Sequence, residues 1–109
     1  MPETGNAPNA RQAEAAHEVE VVLEVPRVLR DSVNGRAEVP VSAATLASAL
    51  AKLRTQWPIL ATLVLDEAGE VRQHVLVLHN GKLTRYLESL DVPLKEGDRL
   101  QIVQAVSGG

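Results

Sequence analysis

The sequence of 109 residues contains no cysteine and no phenylalanine, and one Trp and one Tyr complete its aromatic content of 2%. Without cysteine the chain can form no disulfide, no thiolate nucleophile and no cysteine-ligated zinc site. Because large aromatic side chains are nearly absent, its core must be aliphatic. The length allows one small domain with a single core, which excludes most multidomain enzymes.

Positive charge and long apolar runs are also scarce. Lys and Arg number 11 against 14 Asp and Glu, so the net charge is -3 at pH 7. This sign is wrong for a surface that follows phosphates, and we expect neither nucleic acid nor a membrane as a partner. The longest apolar run, residues 75–78, is far too short to cross a bilayer, and residues 1–17 lack the apolar stretch of a signal peptide. We therefore expect a cytoplasmic protein.

No catalytic pattern is found. The glycines form neither a dinucleotide-binding nor a phosphate-loop motif, and no serine lies in a nucleophile elbow. His74 and His79 are an odd number of positions apart on one predicted strand, which places them on opposite faces and prevents a shared metal. We predict no catalytic residue, no metal site and no bound cofactor.

The first regular segment is residues 19–25, whose alternation of apolar and other side chains is typical of a half-buried strand. Residues 37–41 alternate in the same way. Between them Asn34-Gly35 accepts the positive φ angles of a tight turn, so the two segments predict an antiparallel hairpin. Pro40 has no N–H for a β-ladder and places the second strand at a sheet edge.

A helix is predicted over residues 45–56, where an apolar stripe recurs at helical spacing and Ser42 and Thr45 offer capping hydroxyls. Pro58 ends it, because the residue before a proline avoids helical angles. A further short turn of helix is expected over residues 59–65, followed by a polar loop. The apolar stripe, which we expect in the core, consists of Leu46, Leu50, Leu53 and Trp57.

The second half of the chain predicts three more strands. Residues 71–79 are apolar on both faces, which indicates a central strand. After the Asn80-Gly81 turn, residues 82–84 return as a short strand and Tyr86 to Leu90 resembles one helical turn. The last strand, residues 99–106, is expected to point Leu100 and Ile102 inward.

This order of elements predicts an α+β domain of the ubiquitin-like β-grasp type, with a mixed four- to five-stranded sheet packed on one main helix. Its first and last strands are expected to be neighbours. Residues 1–17 show no apolar period and are interpreted as a disordered N-terminal arm. Residues 18–104 form the predicted domain, and residues 105–109 a flexible C-terminal tail.

After the last predicted strand the sequence ends in Ser107-Gly108-Gly109. Two residues without side chains form a slender thread that can enter a narrow active-site channel and present the α-carboxylate of Gly109 there. A carboxylate in that position can be activated as an acyl-adenylate and then attacked by a sulfur or amine nucleophile. Such a protein is a carried substrate and not the enzyme.

From Val19 to Gly109 the sequence resembles the ThiS/MoaD family of ubiquitin-like sulfur carriers. The resemblance rests on several segments in the right order. They are Val25-Pro26-Arg27-Val28-Leu29-Arg30 with Asn34-Gly35, then Ala44-Thr45-Leu46, then residues 74–81 (HVLVLHNG), then residues 90–100 (LDVPLKEGDRL), and finally residues 103–109 (VQAVSGG). Gln104 and Ser107 depart from the Pro and Ala that members often have there.

The resemblance implies that Gly109 is adenylated by a ubiquitin-activating-like enzyme, which uses ATP, and is converted to a thiocarboxylate that donates sulfide to a synthase. Val106, Ser107 and Gly108 would enter the activating enzyme's channel. The segment at residues 26–30 and the loop before His74 look most like carriers that serve cysteine synthesis. The molybdopterin synthase small subunit is the next choice and a thiamine carrier the third.

Two other classes of function remain open. In a protein modifier, Gly109 would be joined to lysine amines, and in a plain binding or scaffold domain the diglycine would have no role. The same carboxylate serves the carrier and the modifier, so no residue separates them. For a partner surface we predict Val22, Val103 and Ala105, which alternate out of phase with the inward residues of their strands and face away from the helix.

Overall fold

The computed structural model describes residues 18–104. In chain order the elements are β1 (Val19–Glu24), a 3-10 helix (Arg27–Val33), β2 (Glu38–Ala43), α1 (Leu46–Gln56), α2 (Pro58–Val64), β3 (Val75–His79), β4 (Lys82–Leu83) and β5 (Arg99–Gln104). Within this part of the chain no helix is both long and apolar enough to cross a membrane.

The five strands form one mixed sheet in the order β2-β1-β5-β3-β4. β1 and β2 pair antiparallel, with Val21 opposite Val41, which confirms the predicted hairpin and its edge strand. β5 lies in the middle, parallel to β1 and antiparallel to β3. The first and last strands are therefore neighbours, and the predicted β-grasp arrangement is confirmed.

Alternation along the strands separates two faces of the sheet. The inner face packs against the helices, and the buried core between them is aliphatic, as the lack of aromatics predicts. The residues opposite one another there are buried, as for Leu23 beside Leu100 and Val77 beside Ile102. Trp57 packs at the margin of this core.

Helix α1 begins at its capping residue Thr45. The Thr45 hydroxyl oxygen accepts from the Ser48 N–H at 3.1 Å, and the Thr45 N–H donates to the Ser48 hydroxyl at 3.0 Å, so the two residues cap each other. Ser42, the other candidate cap, lies within β2 instead. The helix ends at Gln56, two residues before Pro58 begins α2, which agrees with the predicted boundary.

One element was missed and two local predictions were wrong. The hairpin connection contains the 3-10 helix, which buries Leu29 and Val33. No periodicity in the sequence indicated this helix. Asn34 and Gly35 take positive φ angles, as predicted. β3 begins at Val75, and His74 lies in the turn before it. Tyr86 to Leu90 form no helix, since the single turn bond there runs from the Leu87 N–H to the Thr84 carbonyl.

Candidate functional site

The predicted reactive tail extends from β5. Gly109, Gly108, Ser107, Val106 and Ala105 lie outside the described residues, and Gln104 is the last residue before them. The strand that leads to the tail is paired on both sides, with β1 up to Gln101 and with β3 up to Gln104. The tail therefore follows a strand that has a partner on each side.

The start of β5 is fixed by a hydrogen-bonded cluster around Asp98. One carboxylate oxygen accepts from His79 Nε2 at 2.8 Å and from the Lys95 N–H at 2.9 Å. The other accepts from Asn80 Nδ2 at 3.0 Å. Burial raises the pKa of Asp98, but the hydrogen bonds from Asn80, His79 and Lys95 outweigh it and lower the pKa to about 2.

This cluster also determines the β3–β4 turn. Asn80 adopts a φ of 51°, a left-handed conformation that Asn tolerates better than most residues. Its side-chain oxygen accepts from the Arg99 N–H at 2.9 Å, and its own N–H donates to the Arg99 carbonyl at 2.8 Å. The predicted Asn80-Gly81 turn thus also anchors the start of β5.

The outer face of the sheet, away from the helices, has an ion-paired triad at its centre. The Arg99 guanidinium lies 2.6 Å from Glu24, on the adjacent strand β1, and 2.6 Å from Glu38, on the edge strand β2. The hydrogen bonds to Glu24 and Glu38 raise the pKa of Arg99. Because all three side chains are substantially exposed, this triad contributes little to stability.

The structure does not bring Val22 and Val103 together, although both are half-buried on the outer face. Val22 lies opposite Pro40 and Arg99, at the other end of β5 from Val103. Val103 instead lies opposite Leu76 and belongs to what we call the outer apolar patch, formed by Leu76, Leu78, Leu83 and Val103. The apolar residues on both faces of β3 were the signal for this patch, and sequence reasoning assigned them only to a central strand.

Three arginine side chains donate to backbone carbonyls of the domain itself. Arg30 Nε donates to the Val25 carbonyl at 2.9 Å, and Arg72 Nε donates to the Thr62 carbonyl at 3.0 Å. Arg85 Nη2 bridges the carbonyls of Gln73 and Val75, at 2.7 and 2.9 Å.

The described residues include no group of three or more His, Cys, Asp or Glu side chains arranged to hold a metal ion. His79 is half-buried and bonded to Asp98, while His74 is exposed in a turn. No histidine pair is thus formed in the part of the chain from 18 to 104.

Comparison with known families and structures gives a consistent result. The model described as "ThiS family" matches residues 23–109. The sulfur carrier protein CysO of Mycobacterium tuberculosis is 25% identical over 91 residues, which are 82% of this chain and 98% of that protein. The small archaeal modifier protein 3 of Haloferax volcanii is 33% identical over 66 residues, 61% of this chain and 71% of that protein.

A solved structure extends the likeness to three dimensions. In the crystal structure of the Amycolatopsis orientalis BexX/CysO complex, one chain superposes on this one with a TM-score of 0.71 at 25% identity. The match covers 82% of this chain and 99% of that chain. The likeness therefore includes nearly the whole of that protein.

Proposed function

This chain belongs to the ThiS family, and on that premise we propose that it is a sulfur carrier protein whose Gly109 is the reactive residue. The supporting observation is that the family match extends through Gly108-Gly109 to residue 109. The likeness to a sulfur carrier protein over 98% of that protein's length also supports the proposal.

The chemistry requires an activating enzyme and ATP. The Gly109 carboxylate oxygen attacks the α-phosphorus of ATP, so an acyl-adenylate forms and pyrophosphate leaves. A sulfide nucleophile then forms a C–S bond while the C–O bond to AMP breaks, which leaves a thiocarboxylate. This chain supplies the carboxylate and no catalytic group, and ATP is bound by the enzyme.

The thiocarboxylate then gives its sulfur to an accepting synthase. From the resemblance of residues 26–30 we propose an acceptor in cysteine synthesis, with molybdenum cofactor synthesis as the alternative. We place this reaction in the cytoplasm.

For docking of the activating enzyme we propose the half of the outer face that contains Val103 and adjoins the tail. Val103 lies one residue before Gln104 and within the outer apolar patch, and Ala105 would continue that surface. Val22 is separated from it by the Arg99 triad. We therefore expect Val103→Asp to lower the adenylation rate about tenfold or more, because a buried unpaired charge is costly.

Pyrophosphate exchange with the activating enzyme measures this effect. Val22→Asp is the matched control, with a smaller expected change. If Val103→Asp retained the full rate while its folding was intact, the outer apolar patch would not be the docking surface.

The carrier function is tested by the intact mass of the protein purified, without a C-terminal tag, from its own cells. We expect a fraction heavier by the difference between sulfur and oxygen, with the change located at Gly109. Deletion of Gly109 should abolish this fraction without altering the thermal unfolding curve. Absence of the heavier form in cells that contain active activating enzyme would refute the proposal.

A second function, protein modification, is favoured by the 33% identity to a small archaeal modifier protein. In that case a lysine amine attacks the carbonyl carbon of the Gly109 adenylate, and an isopeptide bond forms while the C–O bond to AMP breaks. Conjugates that carry a Gly109–lysine linkage and vanish when Gly109 is deleted would establish it. If the free protein carried no sulfur and such conjugates were present, we would conclude that the chain is a protein modifier and not a sulfur carrier.

A further inference from the structure

A groove of about 730 Å³ lies where β1 and β5 separate. Pairing between these strands ends at Glu24 and Gln101, because the chain turns away at Pro26 into the 3-10 helix. Among residues 18–104, no strand therefore lies beside residues 102–104 on this side, and β5 forms one wall of the groove. The first turn of the 3-10 helix forms the other wall.

One residue that lines the groove, Gln104, has a buried acceptor without a donor. The Oε1 atom of Gln104 is buried and has no hydrogen-bond partner among the described residues. A buried polar atom left unpaired costs roughly 1–3 kcal/mol, so such atoms normally have partners. A peptide N–H placed in the groove would supply the missing donor once the Gln104 side chain turned its oxygen toward it.

The charges in the groove favour an anion near its helical wall. The acidic lining residues Glu24 and Glu38 are both paired with Arg99. Arg27, on the helical wall, is exposed and its side chain has no hydrogen bond or ion pair to any residue between 18 and 104. Beside it Val28 is 69% exposed, which leaves an apolar surface next to a cation.

We propose that this groove is the resting site of the chain's own C-terminal segment, residues 105–109. The segment begins at Gln104, which itself lines the groove, and five extended residues span about 17 Å. It contains no proline, so every residue keeps a peptide N–H, and Gly108-Gly109 can approach closely because they have no side chains. The carboxylate of Gly109 pairs with Arg27.

The contact is intramolecular and holds the reactive end against the domain until a partner withdraws it. That the groove and the activating enzyme compete for the tail rests on the proposed function, whereas the contact between tail and groove does not. The test therefore measures the contact directly in the isolated full-length protein.

The test uses ¹⁵N-labelled protein and NMR. Deletion of Gly108-Gly109 is expected to shift the backbone amide of Val28 and the side-chain amide of Gln104. In the intact chain the Gly108 and Gly109 amides should have positive heteronuclear NOE values. Arg27→Gln should abolish these values, and Arg36→Gln, an exposed arginine beyond the groove, should preserve them.

Other outcomes overturn the proposal. Gly108 and Gly109 amides that are equally mobile in the intact chain and in Arg27→Gln would mean that the tail does not rest there. Shifts at Val28 that disappear on dilution would assign the groove to the tail of a second copy. Neither result would affect the intact-mass test of sulfur transfer.

Discussion

The two ends of β5 differ in how their polar groups are satisfied. At its start, both carboxylate oxygens of Asp98 accept hydrogen bonds, from His79, Asn80 and a backbone N–H. At its end, the buried Gln104 oxygen has no partner among residues 18–104. The start is a closed network and the end offers an unfilled acceptor.

We infer from this difference that the start of β5 serves the stability of the fold and that its end serves function. The closed network holds the loop after residue 94 and the β3–β4 turn against the sheet. The end of the strand is adjacent to the predicted reactive tail and to the groove. Substitutions at the start are therefore expected to change stability, and substitutions beyond Gln104 to change sulfur transfer.

The largest effect is expected between the two ends, for Leu100→Ala. Leu100 is 1% exposed and lies between Leu23 and His79 in the sheet. Deleting a buried leucine side chain typically costs about 2–5 kcal/mol of unfolding free energy. Urea denaturation measures the loss, and a cost below about 1 kcal/mol would contradict the described packing.

A smaller loss is expected for Asp98→Asn at the start of the strand. The substitution keeps the shape but replaces two charge-assisted acceptors, so we expect a loss of about 1–3 kcal/mol. Asp91→Asn is the matched control, because Asp91 is exposed. Equal effects of the two substitutions in urea denaturation would show that the cluster does not fix this end.

The pH dependence of stability sharpens the same point. The folded-state pKa of Asp98, about 2, lies below its ordinary value of 3.8. A carboxyl group whose pKa is lower in the folded state stabilises the fold at any pH above its pKa in the unfolded state. This stabilisation is lost as the pH falls through the pKa of the folded state. Unfolding free energy should thus fall between pH 4 and pH 2, and Asp98→Asn should show a smaller fall over that range.

The smallest effect is expected for Arg99→Gln, the neighbour of Asp98. Its ion pairs to Glu24 and Glu38 are exposed, and exposed pairs are worth about 1 kcal/mol or less. The loss should diminish further in high salt, since salt screens exposed charges. A loss in thermal unfolding as large as that of Asp98→Asn would mean that outer-face charge, and not the Asp98 cluster, holds the start of β5.

Much of the fold was predictable because local patterns agree with the tertiary arrangement. The alternation at residues 19–25, the Thr45 cap and Pro58 each specify one local conformation. The 3-10 helix was not predictable, since two buried residues, Leu29 and Val33, form no repeating pattern. Tyr86 to Leu90 had weak helical spacing, and the preceding turn at Thr84 determines their conformation instead.

The site was predictable in its chemistry and only partly in its placement. Val22 and Val103 each alternate outward, as predicted, but alternation contains no information about distance across a sheet. Their separation depends on the parallel register of β1 and β5. The roles of Gly109, Gly108, Ser107, Val106 and Ala105 stay predictions.

The sequence by itself determined the aliphatic core, the order of elements and the diglycine end, because composition, periodicity and residue type act locally along the chain. Only the tertiary structure decided that β5 lies in the middle of the sheet, that Asp98 meets His79, and that Gln104 lines a groove with Arg27. These are contacts between residues far apart in sequence, and their geometry depends on strand register and on where the chain leaves the sheet.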